Sequence, residues 1–380
     1  MHWLQNHWYR ITPLHVLLFP ASMVFRALAA LRRAMYRSQI FSSDQLLLPV
    51  IVVGNISVGG TGKTPLTLAL AQQLAERGWH PLIVSRGYGG KSQRPQQVST
   101  DSTPQQVGDE PLLMARRGIC PVWVGRDRAA AAHAAMQANP QCNVVLCDDG
   151  LQHYRLQRDV EIAVIDGARG FGNGQLLPAG PLREPVTRLQ AVDAVVVNEQ
   201  ARFPLPNPLP MPSSQSSPVS GRGSEREKQL SFPAGEGANE SLREFQFEGG
   251  KALPGQYAMH LSGELFHNLL DPGQTATADH FHATKNHAVA GIGHPQRFFR
   301  HLEKMGIPFT PHPFPDHHQY TSGDLAFADC DAILLTEKDA VKCAAFADAR
   351  YWVLRVDAQI DPALIELILR KITPHGLQTA

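Results

Sequence analysis

The sequence predicts an α/β protein with a parallel-sheet domain, a second, smaller α/β domain and an N-terminal helix associated with a membrane. Three observations carry this expectation. Short β-branched runs alternate with helical patterns over residues 46–200, a glycine-rich loop joins the first such run to the first helix, and residues 11–25 contain no Asp, Glu, Lys or Arg. Strands that alternate with helices pair in parallel, because each crossover helix covers a face of the sheet.

Residues 1–42 come first. The uncharged stretch 11–25 lies between Arg10 and Arg26 and contains Pro13, His15, Pro20 and Ser22. Such a stretch falls short of the roughly 20 apolar residues that cross a bilayer. Val24, Leu28, Leu31 and Met35 share a helical face, Arg26, Arg32, Arg33 and Arg37 add positive charge, and Trp3, Trp8, Tyr9, Phe19 and Phe25 suit an interface. An amphipathic helix lying on a membrane surface is expected. A helix packed on the domain has the same pattern, and Ala27-Leu28-Ala29 resembles a signal-peptide cleavage site, although a nucleotide site just downstream argues against export.

Residues 43–202 form the main domain, with strands expected at Val50 to Val53, Leu82 to Val84, Val122 to Val124, Val144 to Cys147, Ile162 to Ile165 and Ala194 to Val197. Leu66, Leu70 and Leu74 recur at helical spacing after the glycine-rich loop, with Pro65 in the first turn and Gly78 beyond the last. Residues 203–250 are rich in Pro, Ser, Gly and charge, which marks an insertion or linker. Residues 251–380 resume with strands expected at Ala288 to Ala290, Pro308 to Thr310, Ala332 to Leu335 and Tyr351 to Leu354 and a helix from Pro295 to Met305, hence the smaller domain.

Composition narrows the functions. Lys+Arg at 35 against Asp+Glu at 34 provides no basic field, so nucleic acid is not an expected partner. Five cysteines without a CxxC pair fit a reducing, cytoplasmic setting. Several of the histidines crowd the second half of the chain, but without a cysteine pair or an HExxH helix they make a weak case for zinc.

The chemistry starts at Ser57-Val58-Gly59-Gly60-Thr61-Gly62-Lys63-Thr64, which is GxxxxGK[ST] except that Ser57 stands at the first glycine. The glycines let backbone amides turn toward phosphate oxygens at a helix N-terminus, Lys63 reaches the β- and γ-phosphates, and the Thr64 hydroxyl ligates Mg²⁺. ATP and Mg²⁺ are therefore the expected cofactors. The apolar run Val144 to Cys147 ends at Asp148 and Asp149, which places carboxylates beside the metal. A partitioning or metal-insertion switch ATPase would carry lysine where Val58 stands. A GTPase would read guanine with [NT]KxD, and Thr336-Glu337-Lys338-Asp339 has Glu337 where that lysine belongs. The same tetrad also reads as a capping box opening a helix.

Taken together, the blocks VGNISVGGTGKTP (53–65), SRGYGG (85–90), GDEPLLMA (108–115), DDGLQH (148–153), PAGPLREP (178–185), AGIGHPQRFF (290–299), FPDHHQY (314–320) and LLTEKDAVK (334–342) closely resemble the tetraacyldisaccharide 4′-kinase family. The resemblance implies phosphorylation of a lipid disaccharide at the bacterial inner membrane, with two domains enclosing ATP; the expected location is its cytoplasmic face and the expected state a monomer. It also implies Asp109 as general base, Glu110 as a neighbouring site residue and His317 as the partner of that base, with His153 and His318 weaker candidates. Read without it, Asp109 and Glu110 are equally an N-cap and first-turn charge. Arg86, Arg128 and Arg183 lie in or near matching blocks and are candidates for the substrate's 1-phosphate or the transferring phosphoryl group. Tyr88, flanked by Gly87 and Gly89, is a further substrate-side candidate.

Overall fold

The computed structural model describes residues 7–9, 13–199 and 255–373. The expected insertion at 203–250 lies outside the described residues. Two sheets organise the rest. The larger has nine strands in the order β15-β8-β7-β6-β1-β5-β2-β4-β3, and the smaller has six in the order β10-β9-β14-β13-β11-β12.

In the larger sheet, β1 (Val50–Gly54), β2 (Pro81–Ser85), β5 (Val144–Asp148) and β7 (Ala194–Asn198) are buried along their whole length. Strands covered on both faces read as continuous apolar runs, which is why they were legible. With β4 (Val122–Val124), β6 (Val160–Asp166) and β8 (Gln256–Ser262) they form the parallel centre, while β3 (Gln96–Gln97) and β15 (Asp357–Ile360) add antiparallel edges. One face is covered by α2 (Lys63–Ala75) through Leu66, Leu70 and Leu74, by Leu112 and Met114 of α4 (Asp109–Arg117), which follows the short α3 (Pro104–Val107), and by Leu364, Ile365 and Ile368 of α8 (Pro362–Ile372). The other packs on Ala129, Ala132 and Ala135 of α5 (Arg128–Ala138) and on Leu176, Leu182 and Leu189. Burying each leucine of α2 contributes about 1.5–3 kcal/mol.

The smaller sheet sets β11 (Asn286–Ala290), β12 (Thr310–Pro313), β13 (Ala332–Thr336) and β14 (Tyr351–Leu354) in parallel, with β9 (Phe266–Asn268) and β10 (Thr275–Ala276) antiparallel at one side. Its helices are α6 (Pro295–Lys304) and α7 (Glu337–Cys343). The strand expected at 308–310 runs instead over 310–313, Thr-Pro-His-Pro, at the sheet's edge, where a proline costs no ladder bond. The expected boundary at 251 does not separate the sheets: β8, β15 and α8 all belong to the first. The chain leaves the larger sheet after β8, builds the smaller one and returns, because the outer edge of β7 takes β8 as its next parallel strand.

The N-terminal helix α1 runs over Pro13–Arg37, straight through Pro20. It is longer than the uncharged stretch implied, and by length and composition it is apolar enough to cross a membrane. Its anchored side is narrow: the buried Ser22 hydroxyl donates to Leu176 O at 2.9 Å and accepts from Ala179 N at 3.0 Å. Val16, Leu17, Val24, Leu28 and Leu31 are exposed on the remainder.

Candidate active site

The phosphate loop joins β1 to α2, and its first residues are framed by the 178–185 segment. Ser57 bridges Leu182, Val58 N donates to Pro181 O at 2.8 Å, and Arg183 N donates to Ile56 O at 2.7 Å. The Val58 amide, expected at the phosphates, is thus committed to the loop's frame. Gly59 and Gly62 have φ of 104° and 98°, a region that side-chain-bearing residues rarely adopt. At Gly62 a Cβ would also stand 2.8 Å from both Asn198 Nδ2 and Met259 Cε.

Three consecutive loop carbonyls are held from outside. Asn55 Nδ2 donates to Gly59 O at 3.4 Å, Arg169 Nη2 donates to Gly60 O, and Asn198 Nδ2 donates to Thr61 O at 3.1 Å. A trans peptide plane points the next residue's N–H opposite its carbonyl, so these bonds aim the amides of Gly60, Thr61 and Gly62 the other way. Those of Lys63 and Thr64, in the first helical turn, have no partner within the helix. The result is an anion cradle at a helix N-terminus.

Lys63 Nζ lies 3.5 Å from Asp149 Oδ1, and Arg183 Nη1 donates to both oxygens of Asp149 at 3.2 Å. Burial would raise the Asp149 carboxyl, but Lys63, Arg183 and Arg128 outweigh it and hold the group far below the usual carboxylate range. Its neighbour differs. Asp148 is 1% exposed, and among the described residues its carboxylate accepts from two hydroxyls, Thr67 Oγ1 at 3.4 Å and Ser85 Oγ at 3.3 Å. Burial, then the negative charges of Glu110 and Asp149, push its carboxyl well above the ordinary range despite Lys63 and Arg128.

Asp109, 4% exposed, opens α4 immediately after Gly108, whose φ of 91° makes the sharp entry. Its Oδ2 lies 3.0 Å from His317 Nδ1 and 3.9 Å from Lys342 Nζ, so residues of both sheet units meet on one carboxylate. His317 holds φ of 61°, and the Tyr88 ring rests over its imidazole with centroids 5.4 Å apart. Glu110 Oε1 lies 3.5 Å from Lys338 Nζ, which also donates to Asp316 Oδ1 at 3.2 Å. Burial pulls the Lys338 ammonium down, and Glu110, Asp316 and Asp109 more than compensate, leaving it above its ordinary value.

The tetrad 336–339 therefore does two things. Thr336 caps α7 by accepting from Asp339 N at 3.2 Å, and the helix it opens delivers Lys338 and Lys342 to the acids of 109–110. Asp339 is fully buried and accepts from Gly291 N at 3.1 Å and Tyr320 Oη at 3.2 Å. Sequence reasoning singled out neither lysine for the site, and the block 334–342 was the available signal.

Of the substrate-side candidates, Arg86 and Tyr88 are exposed and Arg183 faces Asp149. Arg128 is a correction. It is 5% exposed, and its Nη2 donates to the carbonyls of Asp149 at 2.6 Å and Asp148 at 3.5 Å. Sitting in the first turn of α5, it braces the acidic turn from behind rather than offering a charge to substrate. His153 is held down to about 4 by burial and Arg128, and His318 lies 3.5 Å from Asp324 Oδ2. Neither touches Asp109. No group of three or more His, Cys, Asp or Glu that could hold a metal occurs among the described residues.

Fold and site together define a P-loop phosphotransferase whose candidate site is assembled from two α/β units. The family model of tetraacyldisaccharide-1-P 4′-kinase matches residues 14–373, and the chain belongs to that family. It is 46% identical to the tetraacyldisaccharide 4′-kinase of Methylobacillus flagellatus, covering 98% of this chain and 96% of that one. It is also 46% identical to the Dechloromonas aromatica protein of the same name, over 100% and 99%. A solved structure of LpxK from Aquifex aeolicus in complex with ATP superposes with a TM-score of 0.72 at 26% identity, covering 94% of this chain and 99% of that one.

Proposed function

We propose that this chain transfers the γ-phosphoryl group of ATP to the 4′-hydroxyl of a tetraacylated glucosamine disaccharide 1-phosphate at the cytoplasmic face of the bacterial inner membrane, the step that completes the bis-phosphorylated lipid A core. The observation that carries the reading is the Asp109–His317 pair, 3.0 Å apart and contributed by the two units that flank the phosphate loop. The family relationship supplies the acceptor.

In the transfer the acceptor oxygen bonds to the γ-phosphorus, the bond to the β-phosphate oxygen breaks, and ADP leaves. The hydroxyl proton goes to the Asp109 carboxylate. His317, donating from Nδ1, fixes that carboxylate's orientation, as orienting partners do for other catalytic bases. Lys63 and the loop amides neutralise charge on the transferring group, where positioning and electrostatics carry most of the catalysis. Arg183, half-buried beside Asp149, is suited to the same charge or to the substrate's 1-phosphate.

Magnesium fits the residues present. Asp148 is a buried carboxylate whose partners are two hydroxyls rather than a cation, and its elevated proton affinity is what a divalent ion would relieve. Mg²⁺ is usually held by one or two carboxylates together with substrate phosphates. Thr64, Asp148 and Asp149 would hold it, and it would offset phosphate charge.

The exposed apolar side of α1, flanked by Arg26, Arg32 and Arg37, suits attachment to an anionic membrane surface where the lipid acceptor resides. The test is product identification: the full chain in detergent micelles with ATP, Mg²⁺ and the lipid 1-phosphate should form one bis-phosphorylated lipid per ADP, and Lys63→Ala should not. ADP release without a lipid product would refute the acceptor and restore the switch-ATPase reading.

A further inference from the structure

We propose that Arg169 is a positioning residue for ATP, holding the phosphate loop in its binding shape and tying it to the second unit through Asp166, His294 and Arg297. The inference rests on the kinase reading and adds Asp166 and Arg169, which none of the matching blocks contains, to His294 and Arg297 of the block 290–299.

Of the three side chains that hold the loop carbonyls, Asn55 and Asn198 follow or end strands of the larger sheet, whereas Arg169 reaches across to the other unit. Each of its three guanidinium nitrogens donates once. Nε donates to Asp166 Oδ2 at 2.5 Å, Nη2 donates to Gly60 O, and Nη1 donates to His294 Nε2 at 2.7 Å. Asp166, 2% exposed at the end of β6, also receives Arg297 Nη2 from α6 on both oxygens at 2.6 Å. The fit at the loop is close: a Cβ on Gly59 would lie 2.8 Å from Arg169 Nη1, and one on Gly293 would lie 3.9 Å from Gly60 N.

Because arginine only donates, His294 accepts at Nε2 and carries its proton at Nδ1. Burial, with Arg169 and Arg297, pushes the imidazole down to about 4, so this acceptor persists at neutral pH. Pinning Gly60 O fixes the direction of the Thr61 amide, the central donor of the cradle. Two guanidinium groups against one carboxylate also leave net positive charge at the mouth of a triphosphate site. Lysine cannot reproduce a planar fork engaging three acceptors at once.

The test is steady-state kinetics on the full chain in detergent, varying ATP at saturating lipid and lipid at saturating ATP, for Arg169→Ala, Arg169→Lys and Arg297→Ala, with thermal unfolding measured without nucleotide. Arg169→Ala should raise the KM for ATP by about tenfold or more, the loss expected for a charge-assisted bond, and leave the KM for lipid within about twofold. Arg297→Ala should shift ATP in the same direction by less, and Arg169→Lys should stay close to Arg169→Ala. An unchanged ATP KM, an equal rise in both KM values, or full rescue by lysine would overturn the assignment. A wild type that leaves the lipid unphosphorylated defeats the kinase reading instead, and ATP affinity measured by calorimetry on the same variants still decides the role of Arg169.

Discussion

Asp148 and Asp149 are chain neighbours with opposite electrostatics, and the difference follows from where each side chain goes. Asp149, with φ of 48°, turns toward Lys63 and Arg183, while Asp148 points inward to two hydroxyls. Arg128 sustains the turn between them by holding both carbonyls. Its truncation leaves those buried carbonyls without their donor, at a cost of about 1–3 kcal/mol. Arg128→Ala should therefore lower the thermal midpoint measurably, and a variant that keeps its midpoint while losing lipid affinity alone would return Arg128 to the substrate. The acids and Lys63 were legible in the sequence because motif spacing ties them to one loop and one strand end. Arg169 and Asn198 were not, since a lone Arg or Asn bonding a carbonyl distant in sequence leaves no periodic trace, and Asn55, although inside the block 53–65, carries no motif position of its own.

At the scale of elements, α4 and α7 show how two short helices assemble the reacting centre. Asp109 opens α4, and Arg117 near its end donates from Nη1 to Asp357 at 2.6 Å and lies with Nε 2.7 Å from Glu337, the first residue of α7. The helix carrying Asp109, the proposed base, is thus fixed at its far end to the helix that brings Lys338 and Lys342. The buried strands were readable from β-branched runs, whereas β8 and β15 escaped notice because their half-exposed residues give no continuous apolar signal. Helix α1 was readable as amphipathic, and Pro20 lies within it without ending it. Its bare apolar side leads to a direct expectation. Val24→Glu with Leu28→Glu should abolish most binding to anionic vesicles in sedimentation, leaving turnover in detergent within about twofold, because each introduced charge costs a few kcal/mol of apolar insertion. Unimpaired vesicle binding would assign that side to a different partner.

For the molecule as a whole, the active site belongs to neither sheet. The larger sheet supplies the phosphate loop, the paired acids and Asp109, and the smaller supplies His317, Lys338 and Lys342, with the Asp166 cluster as a second crossing beside the loop. The return of the chain through β15 and α8 makes the smaller unit an excursion from the larger one, anchored at both ends. In the proposed mechanism the acceptor's proton passes to a carboxylate held between the two units. The most direct test is the rate of lipid phosphorylation by Asp109→Ala at saturating ATP and lipid, compared with wild type. A fall of at least about 10² is expected for loss of a general base, with the KM for ATP little changed. Turnover near the wild-type rate would contradict the account and place proton acceptance elsewhere.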